Sequence, residues 1–336
     1  MRVLAQKIGL KGDAGEMAEL RIVLNRRLEA IASRRSMPTR RARRLGSREA
    51  WDGILMAAPW MLGFLVFTAG PMLFGLYTSL TRWDIIRPPV WIGLANYRRM
   101  LTGEDRLFYQ SLGVTVRYTL MSAPLHVVLG LALASLLNVK IPGTSLFRTV
   151  YYLPAVLPVV ASSVLWSWVF NPEFGLLNYG LSLLGIKGPG WLADPNWALP
   201  AIVLMNLQYI GPSMVILLAG LQRVPQELYE AAQMDGANRW MLLRHITLPM
   251  MSSVIFFVII ININSSFQTF TQAFLMTNGG PRYATYFYML HLYNEAWRAY
   301  RMGYASGLAW VMFVIIVGFM IAHFRLSRLW VYTDAD

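Results

Sequence analysis

The sequence predicts an all-α membrane protein, and three observations carry that expectation. Hydrophobic residues make up 56% of the chain and charged residues only 14%, too apolar for a soluble globule of 336 residues. Six apolar runs, at roughly 53–81, 111–138, 145–170, 197–221, 250–276 and 303–325, each approach or exceed the ~20 residues a helix needs to cross the hydrocarbon core. Charge is concentrated at one end: residues 1–50 hold 13 Lys/Arg against five Asp/Glu, out of a net +13 for the whole chain. In a soluble chain such a basic total points to nucleic acid; here it reads as topogenic charge that holds the N-terminus in the cytoplasm.

Taken in order, residues 1–50 form a basic cytoplasmic tail. Met17, Leu20, Leu24, Leu28 and Ile31 recur at helical spacing among Arg21, Arg26, Arg27, Arg34 and Arg35. They fit either an amphipathic helix on anionic lipid or on a cytoplasmic neighbour, or a solvated tail. The first apolar run begins near Gly53, late for a secretory signal, and reads as a retained span. Residues 51–330 then form a transmembrane domain and 331–336 a short tail. Six spans leave both termini on the cytoplasmic side, with 139–144 and 222–249, and 82–110, 171–196 and 277–302 outside. Pro59, Gly70-Pro71, Pro124, Pro154, Pro158 and Gly211-Pro212 interrupt the spans; they read as kinks around an internal pathway or as ordinary bends. Asn171 to Gly175, Lys187 to Gly190 and Asn278 to Pro281 are turn signals in the outer segments.

Several chemistries are absent from the pattern. The chain has no cysteine, which removes disulfides, thiolate metal ligands and thiol catalysis. His126, His245, His291 and His323 lack metal-ligand spacing. No G-x-x-x-x-G-K-[ST] stretch offers a phosphate cradle, so nucleotide chemistry, with its ATP and Mg, has to reside on another subunit. No catalytic residues, metal site or cofactor are expected in this chain.

The soluble-looking segment 222–249 separates two apolar runs. Pro225 to Met234 fits a short amphipathic helix carrying Glu227, Tyr229, Glu230, Ala231, Ala232 and Met234. Asp235 and Gly236 follow as a tight reversal, and Arg239 to His245 reads as a second short helix ending before Pro249. The fifth run is rich in hydrogen-bonding side chains: Asn262, Asn264, Ser265, Ser266, Gln268, Thr269, Thr271 and Gln272. Lipid cannot satisfy so many polar groups, which must face protein or water. Asn262, Ser265/Ser266, Thr269 and Gln272 recur at three-to-four spacing as one stripe, with Asn264, Gln268 and Thr271 beside it. Asn206, Gln208 and Tyr209 add to this in the fourth run. Amides beside aromatic faces suit sugar hydroxyls and pyranose rings; interhelical polar contacts are the competing reading.

Glu230-Ala231-Ala232, Gly236 and Ile246-Thr247-Leu248-Pro249 together resemble the cytoplasmic coupling loop of permease subunits of ATP-binding-cassette (ABC) importers. Pro59 to Asp84, Gly93-Leu94-Ala95-Asn96-Tyr97, Tyr152-Leu153-Pro154, Trp168, Asn171 to Asn178 and Thr277 to Pro281 are similar to segments of the carbohydrate-importing, maltose-type group. The likeness covers about residues 50–330. It departs at Leu243, where the group commonly has an aromatic, and at Ser253, where it has a second proline.

The resemblance implies a type I importer permease: six core transmembrane helices with a cytoplasmic coupling helix, multi-pass in the inner membrane. It implies a second permease subunit, a paralogue, with an ATPase dimer that binds ATP and Mg, an extracytoplasmic solute-binding protein, and a carbohydrate crossing unmodified by alternating access. Glu227, Tyr229, Glu230, Ala231, Ala232, Met234, Asp235 and Gly236 would couple to the ATPase. Asn206, Gln208, Tyr209, Asn262, Asn264, Ser265, Ser266, Gln268, Thr269 and Gln272 are the candidate substrate pathway. The outer segments hold nine Lys/Arg against six Asp/Glu, which leaves an acidic oligosaccharide such as an alginate fragment open as substrate. A secondary carrier or channel is the alternative, opposed by the lack of Asp and Glu in mid-span. A membrane-tethered helix-turn-helix at 225–248 is opposed by Glu227, Glu230 and Asp235, which repel phosphate. No nucleic-acid partner is expected.

Overall fold

The computed structural model describes residues 47–139 and 142–332. The expected amphipathic helix in the basic tail and the end of the C-terminal tail lie outside these residues. The chain divides at Gly70-Pro71 into two units. In the first, α1 (Ser47–Phe64) runs through Pro59 and ends in a π turn, Leu65–Ala69, closed by the Gly70 amide donating to Leu65 O. Helix α2 (Gly70–Ser79) follows, and then a two-stranded ribbon in which β1 (Thr81–Arg82) pairs antiparallel with β2 (Val90–Trp91). Next come α3 (Ala95–Leu101) and the 32-residue α4 (Arg106–Leu137).

Five helical runs are long and apolar enough to cross a membrane: Trp51–Ser79, Arg106–Leu137, Pro195–Leu221, Ser252–Met276 and Met302–Ser327. The third expected span, 145–170, is not one helix. Its halves are α5 (Thr144–Tyr152) with a 3-10 turn Leu153–Val156, and α6 (Val159–Val169), and they meet at 99°. The break has a covalent cause. Pro158 excludes its predecessor from helical geometry, so Leu157 (φ −70°, ψ 135°) and Pro158 (φ −57°, ψ 132°) are both extended.

The remaining elements are α7 (Leu176–Leu183), α8 (Pro195–Asn206), a 3-10 turn Leu207–Ile210, α9 (Gly211–Leu221), α10 (Gln226–Met234), α11 (Arg239–Leu242), a π turn Leu243–Thr247 and α12 (Leu248–Met250). After them come α13 (Ser252–Phe267), α14 (Thr271–Met276), α15 (Tyr288–Tyr293), a π turn Asn294–Arg298 and α16 (Met302–Ser327).

Helix α4 is the hub. Its Val114 and Tyr118 pack with Ile202, Ala273 and Phe287; its Val127, Ala134 and Leu137 with Met214, Leu217 and Val258; its Phe108 with Tyr288 and Leu308. In lipid, helix association gains little from removing apolar surface from water, so close packing and polar contacts have to hold the bundle. Small residues permit that packing: a Cβ on Gly130 would lie 3.2 Å from Leu217 Cδ1. A stripe of polar side chains, Ser111, Thr115, Thr119, Ser122 and His126, is also buried along α4. Ser111 donates to Phe108 O, Thr115 to Ser111 O and Thr119 to Thr115 O, each at 2.9 Å. Thr115 Oγ1 in turn accepts the Tyr288 amide at 2.9 Å and so secures the start of α15.

The sequence motifs in the loops between the spans prove to be clasps. Asn96 Nδ2 donates to Ser79 O and Thr81 O at 2.8 and 2.9 Å, and Tyr97 OH meets Ser79 Oγ at 2.7 Å. Asn171 Oδ1 accepts the amides of Glu173 and Phe174 at 2.8 and 3.1 Å, forming an Asx turn. Asn178 Oδ1 accepts from Trp191 Nε1 at 2.7 Å.

The Gly211 position carries the first prediction. An added Cβ would lie 2.7 Å from Tyr151 O and 2.8 Å from Tyr152 Cα, so backbone must move. Gly211→Ala is expected to destabilise the protein by about 1–3 kcal/mol, measured as a fall in thermal midpoint in detergent. Gly180→Ala, where nothing lies within 4 Å, is expected to cause no comparable fall.

Candidate functional site

The segment between the fourth and fifth spans is built as a braced lever. Helix α10 starts after Pro225 (φ −59°, ψ 130°), where a missing N–H costs nothing. It ends in a Schellman motif: Ala237 N donates to Ala232 O at 2.9 Å and Gly236 N to Gln233 O at 3.0 Å, with Gly236 at φ +82°. Asn238 caps α11 by accepting the Met241 amide at 2.9 Å. The second helix does not stop before Pro249 as expected. The π turn Leu243–Thr247 closes with the Leu248 amide on Leu243 O, and Pro249 then falls in the first turn of α12, where no N–H is required.

One face of α10 is free. Glu227, Glu230, Ala231, Met234 and Asp235 are exposed, Met234 at 88%. Glu230 accepts from Gln226 at 2.8 Å. Tyr229 and Ala232 are half-buried, and Tyr229 OH meets the buried Thr247 Oγ1 at 3.0 Å. That contact ties α10 to the start of the fifth span. Sequence reasoning missed Trp240 and Met241, exposed at 65% and 46%, and did not single out Leu228, exposed at 42%. Their signal was an apolar pair just behind an Asn cap.

The polar residues of the spans divide into two sets. Asn262 Nδ2 donates to Ser213 Oγ at 3.1 Å and to Val258 O at 2.9 Å, joining α13 to α9. Asn206 Nδ2 donates to Ser122 Oγ at 3.3 Å, and its own carbonyl lies 3.2 Å from His126 Nε2. Gln208 Oε1 accepts from Trp166 Nε1 at 3.1 Å, while Tyr209 packs near Phe170 and Met205. Ser266 and Thr269 are buried, and Gln272 is half-buried. Asn264, Ser265 and Gln268 are exposed, and Gln268 Nε2 donates to Asn264 Oδ1 at 2.9 Å. The single helical stripe does not persist, because α13 ends at Phe267 and α14 starts at Thr271. Short bonds from the Gln268 and Thr269 amides to Ser265 O and Ser266 O, at 3.2 and 3.3 Å, tighten the turn there. Ser122 and His126 are partners the sequence did not single out; buried hydroxyls at three-to-four spacing along α4 were the available signal.

Residues 126–331, which contain the braced lever and both polar sets, match the family described as binding-protein-dependent transport system inner membrane component. The chain belongs to that family. The permease is 38% identical to the probable ABC transporter permease protein YesP of Bacillus subtilis, over 84% of this chain and 92% of the relative. It is 34% identical to the trehalose/maltose transport system permease protein MalF of Thermococcus litoralis, over 85% and 96%. Its fold matches a subunit in the crystal structure of a bacterial alginate ABC transporter in complex with an alginate pentasaccharide-bound periplasmic protein. That match has a TM-score of 0.72 at 22% identity and covers 84% of this chain and 95% of the other.

Outside the spans, the permease gathers Asp105, His291 and Glu295, whose donor atoms lie within 4.8 Å of one another. Each is engaged by protein. Asp105 Oδ2 receives His291 Nε2 at 2.8 Å and Tyr304 OH at 2.6 Å; Asp105 Oδ1 caps α4 through the Leu107 amide at 3.0 Å. Glu295 pairs with Arg301 at 3.1 Å. The group reads as a latch joining the starts of α4 and α16 to α15. Burial alone would raise the Asp105 carboxyl, but the hydrogen bonds from His291 and Tyr304 outweigh it and hold the group well below the usual carboxylate range. A carboxylate depressed on folding stabilises above its unfolded value of about 3.9 and loses that stability as pH falls toward the folded value. The thermal midpoint is therefore expected to drop below about pH 4, and Asp105→Asn to flatten that acid limb while lowering the midpoint at neutral pH. A series of melts in detergent across pH checks both.

Proposed function

We propose that this chain is the membrane subunit of an ATP-driven importer that moves a sugar or oligosaccharide inward by alternating access. The carrying observation is the braced lever at 222–249. An exposed amphipathic helix, α10, is locked by its Schellman turn and tied through Tyr229 to Thr247 in the π turn that leads to the fifth span, so a push on α10 is delivered to the bundle. In this reading ATP and Mg are held by a partner ATPase dimer that grips Leu228, Met234 and Trp240, with Glu227, Glu230 and Asp235 offered to basic groups at the rim.

Both termini and the lever lie in the cytoplasm, and 277–302 lies outside. A second permease subunit, a paralogue, completes the pathway, and a solute-binding protein delivers the substrate. The carbohydrate assignment is supported by the names of relatives such as the trehalose/maltose permease and a probable starch degradation products permease from Thermoanaerobacterium thermosulfurigenes, 30% identical over 82% of this chain and 93% of the relative. It is also supported by the exposed amide pair Asn264 and Gln268, groups that donate and accept as sugar hydroxyls do. Asn262, spent on Ser213, suits a packing role.

The whole assembly, reconstituted in liposomes with its binding protein, tests this reading. ATPase activity and uptake are expected to rise with a neutral or an acidic oligosaccharide, and uptake without ATP would support a secondary carrier instead. Gly236→Val forces a β-branched residue to φ +82°, a strain of about 1–2 kcal/mol. It is expected to lower uptake and sugar-stimulated hydrolysis several-fold while membrane abundance holds. Gln268→Ala is expected to weaken uptake with assembly intact, whereas Asn262→Ala is expected to lower the thermal midpoint. The opposite assignment would place Asn262 in the pathway.

A further inference from the structure

Between the loop after α14 and the π turn after α15 lies a pocket of about 410 Å³. Asn278, Arg282, Tyr283, Tyr286, Asn294 and Arg298 form most of its wall, and no carboxylate lines it. Arg298 is held in place: its Nη2 donates to Asn278 Oδ1 at 3.3 Å and its guanidinium lies over the Phe274 ring at 5.8 Å. Several of its N–H groups remain free to donate. The Arg282 side chain is exposed and has no ion pair or hydrogen bond among the described residues. The adjacent acid, Glu295, is occupied by Arg301 at 3.1 Å. Asn294 donates to Tyr286 OH at 3.0 Å, and its Oδ1 is buried without a partner among the described residues. The wall therefore offers two guanidiniums with no carboxylate beside them. Asn278, Arg282 and Tyr283 hold left-handed backbone at φ +48°, +50° and +62°, conformations that non-glycine residues keep at a cost and that cluster where ligands are clamped.

We infer that this pocket receives an acidic side chain, Asp or Glu, of the solute-binding protein. The two guanidiniums of the pocket wall, Arg282 and Arg298, supply N–H donors and positive charge to that carboxylate. This rests on the importer reading, which places 277–302 outside. A protein carboxylate is favoured over one on the substrate because none of the candidate pathway residues lines the pocket. Arg282, Tyr283 and Arg298 are also exposed, at the edge a docking protein meets first.

The test uses the complete importer in liposomes and titrates ATPase activity with its substrate-loaded binding protein. Arg282→Glu and Arg298→Glu are expected to raise the half-saturating binding-protein concentration about tenfold or more. Arg282→Gln, a milder change in an exposed side chain, is expected to raise it less. Lysine placed at one surface Asp or Glu of the binding protein is expected to restore the concentration dependence of the Arg282→Glu importer, which also shows that the variant is folded. An unchanged half-saturation in all three variants overturns the inference. So does a loss confined to acidic oligosaccharides with binding-protein affinity intact, which makes the pocket a substrate subsite. A wild-type importer that ignores its binding protein overturns the importer reading itself and is recognisable before any variant is made.

Discussion

Every backbone N–H and C=O in the hydrocarbon layer has to find its partner inside the protein, and the rest of this structure follows from how that demand is met. Where the chain carries proline, the ladder is repaired rather than abandoned. The turn Leu65–Ala69 widens to π geometry two residues ahead of Pro71, and outside the spans Leu243–Thr247 does the same ahead of Pro249. At Leu157-Pro158 no such repair is made, and the span folds over at 99°. Side-chain hydroxyls follow the same rule. Ser111, Thr115 and Thr119 return their protons to the preceding turn, which lets a polar stripe be buried along α4 without an orphaned donor.

Because α4 contacts the fourth and fifth spans along its length, polar cross-links can be few and local. Asn206 to Ser122 and Asn262 to Ser213 each join one pair of helices. The exposed pair Asn264 and Gln268 makes no such cross-link and bonds within the pair instead. Outside the membrane the same economy appears as clasps: Asn96, Asn171 and Asn178 each fix a loop through their amides, and Asp105 ties three elements together.

Much of the fold was legible in the sequence because hydropathy and chain punctuation are local properties. Five of six apolar runs are single helical runs long and apolar enough to cross a membrane, and Pro225 and Gly236 bound the first helix of the lever as expected. Two features were hidden. The bend at Leu157-Pro158 could not be told from an ordinary proline kink, since the pattern shows the proline but not whether the next turn rejoins the axis. The polar stripe of the fifth run was drawn with one uninterrupted helical period, and at Gln268 to Phe270 the amides of Gln268 and Thr269 turn to the carbonyls three residues back, a change that spacing does not encode. The outer latch of Asp105, His291 and Tyr304 joins residues far apart in sequence, so no local signal announced it. Conversely, Asn96 and Asn178 were visible only as motif residues, and their packing shows why an amide is needed there.

The central claim is that α10 is the surface through which a cytoplasmic motor drives this permease. The absence of cysteine from the chain permits a direct measurement: a single cysteine at Met234, 88% exposed, with a bismaleimide cross-linker applied to the assembled complex before and after ATP. The account predicts a cross-link to the ATPase subunit whose yield changes with nucleotide, and none from a cysteine placed at Tyr283. No ATPase cross-link from Met234 in an active complex would contradict it.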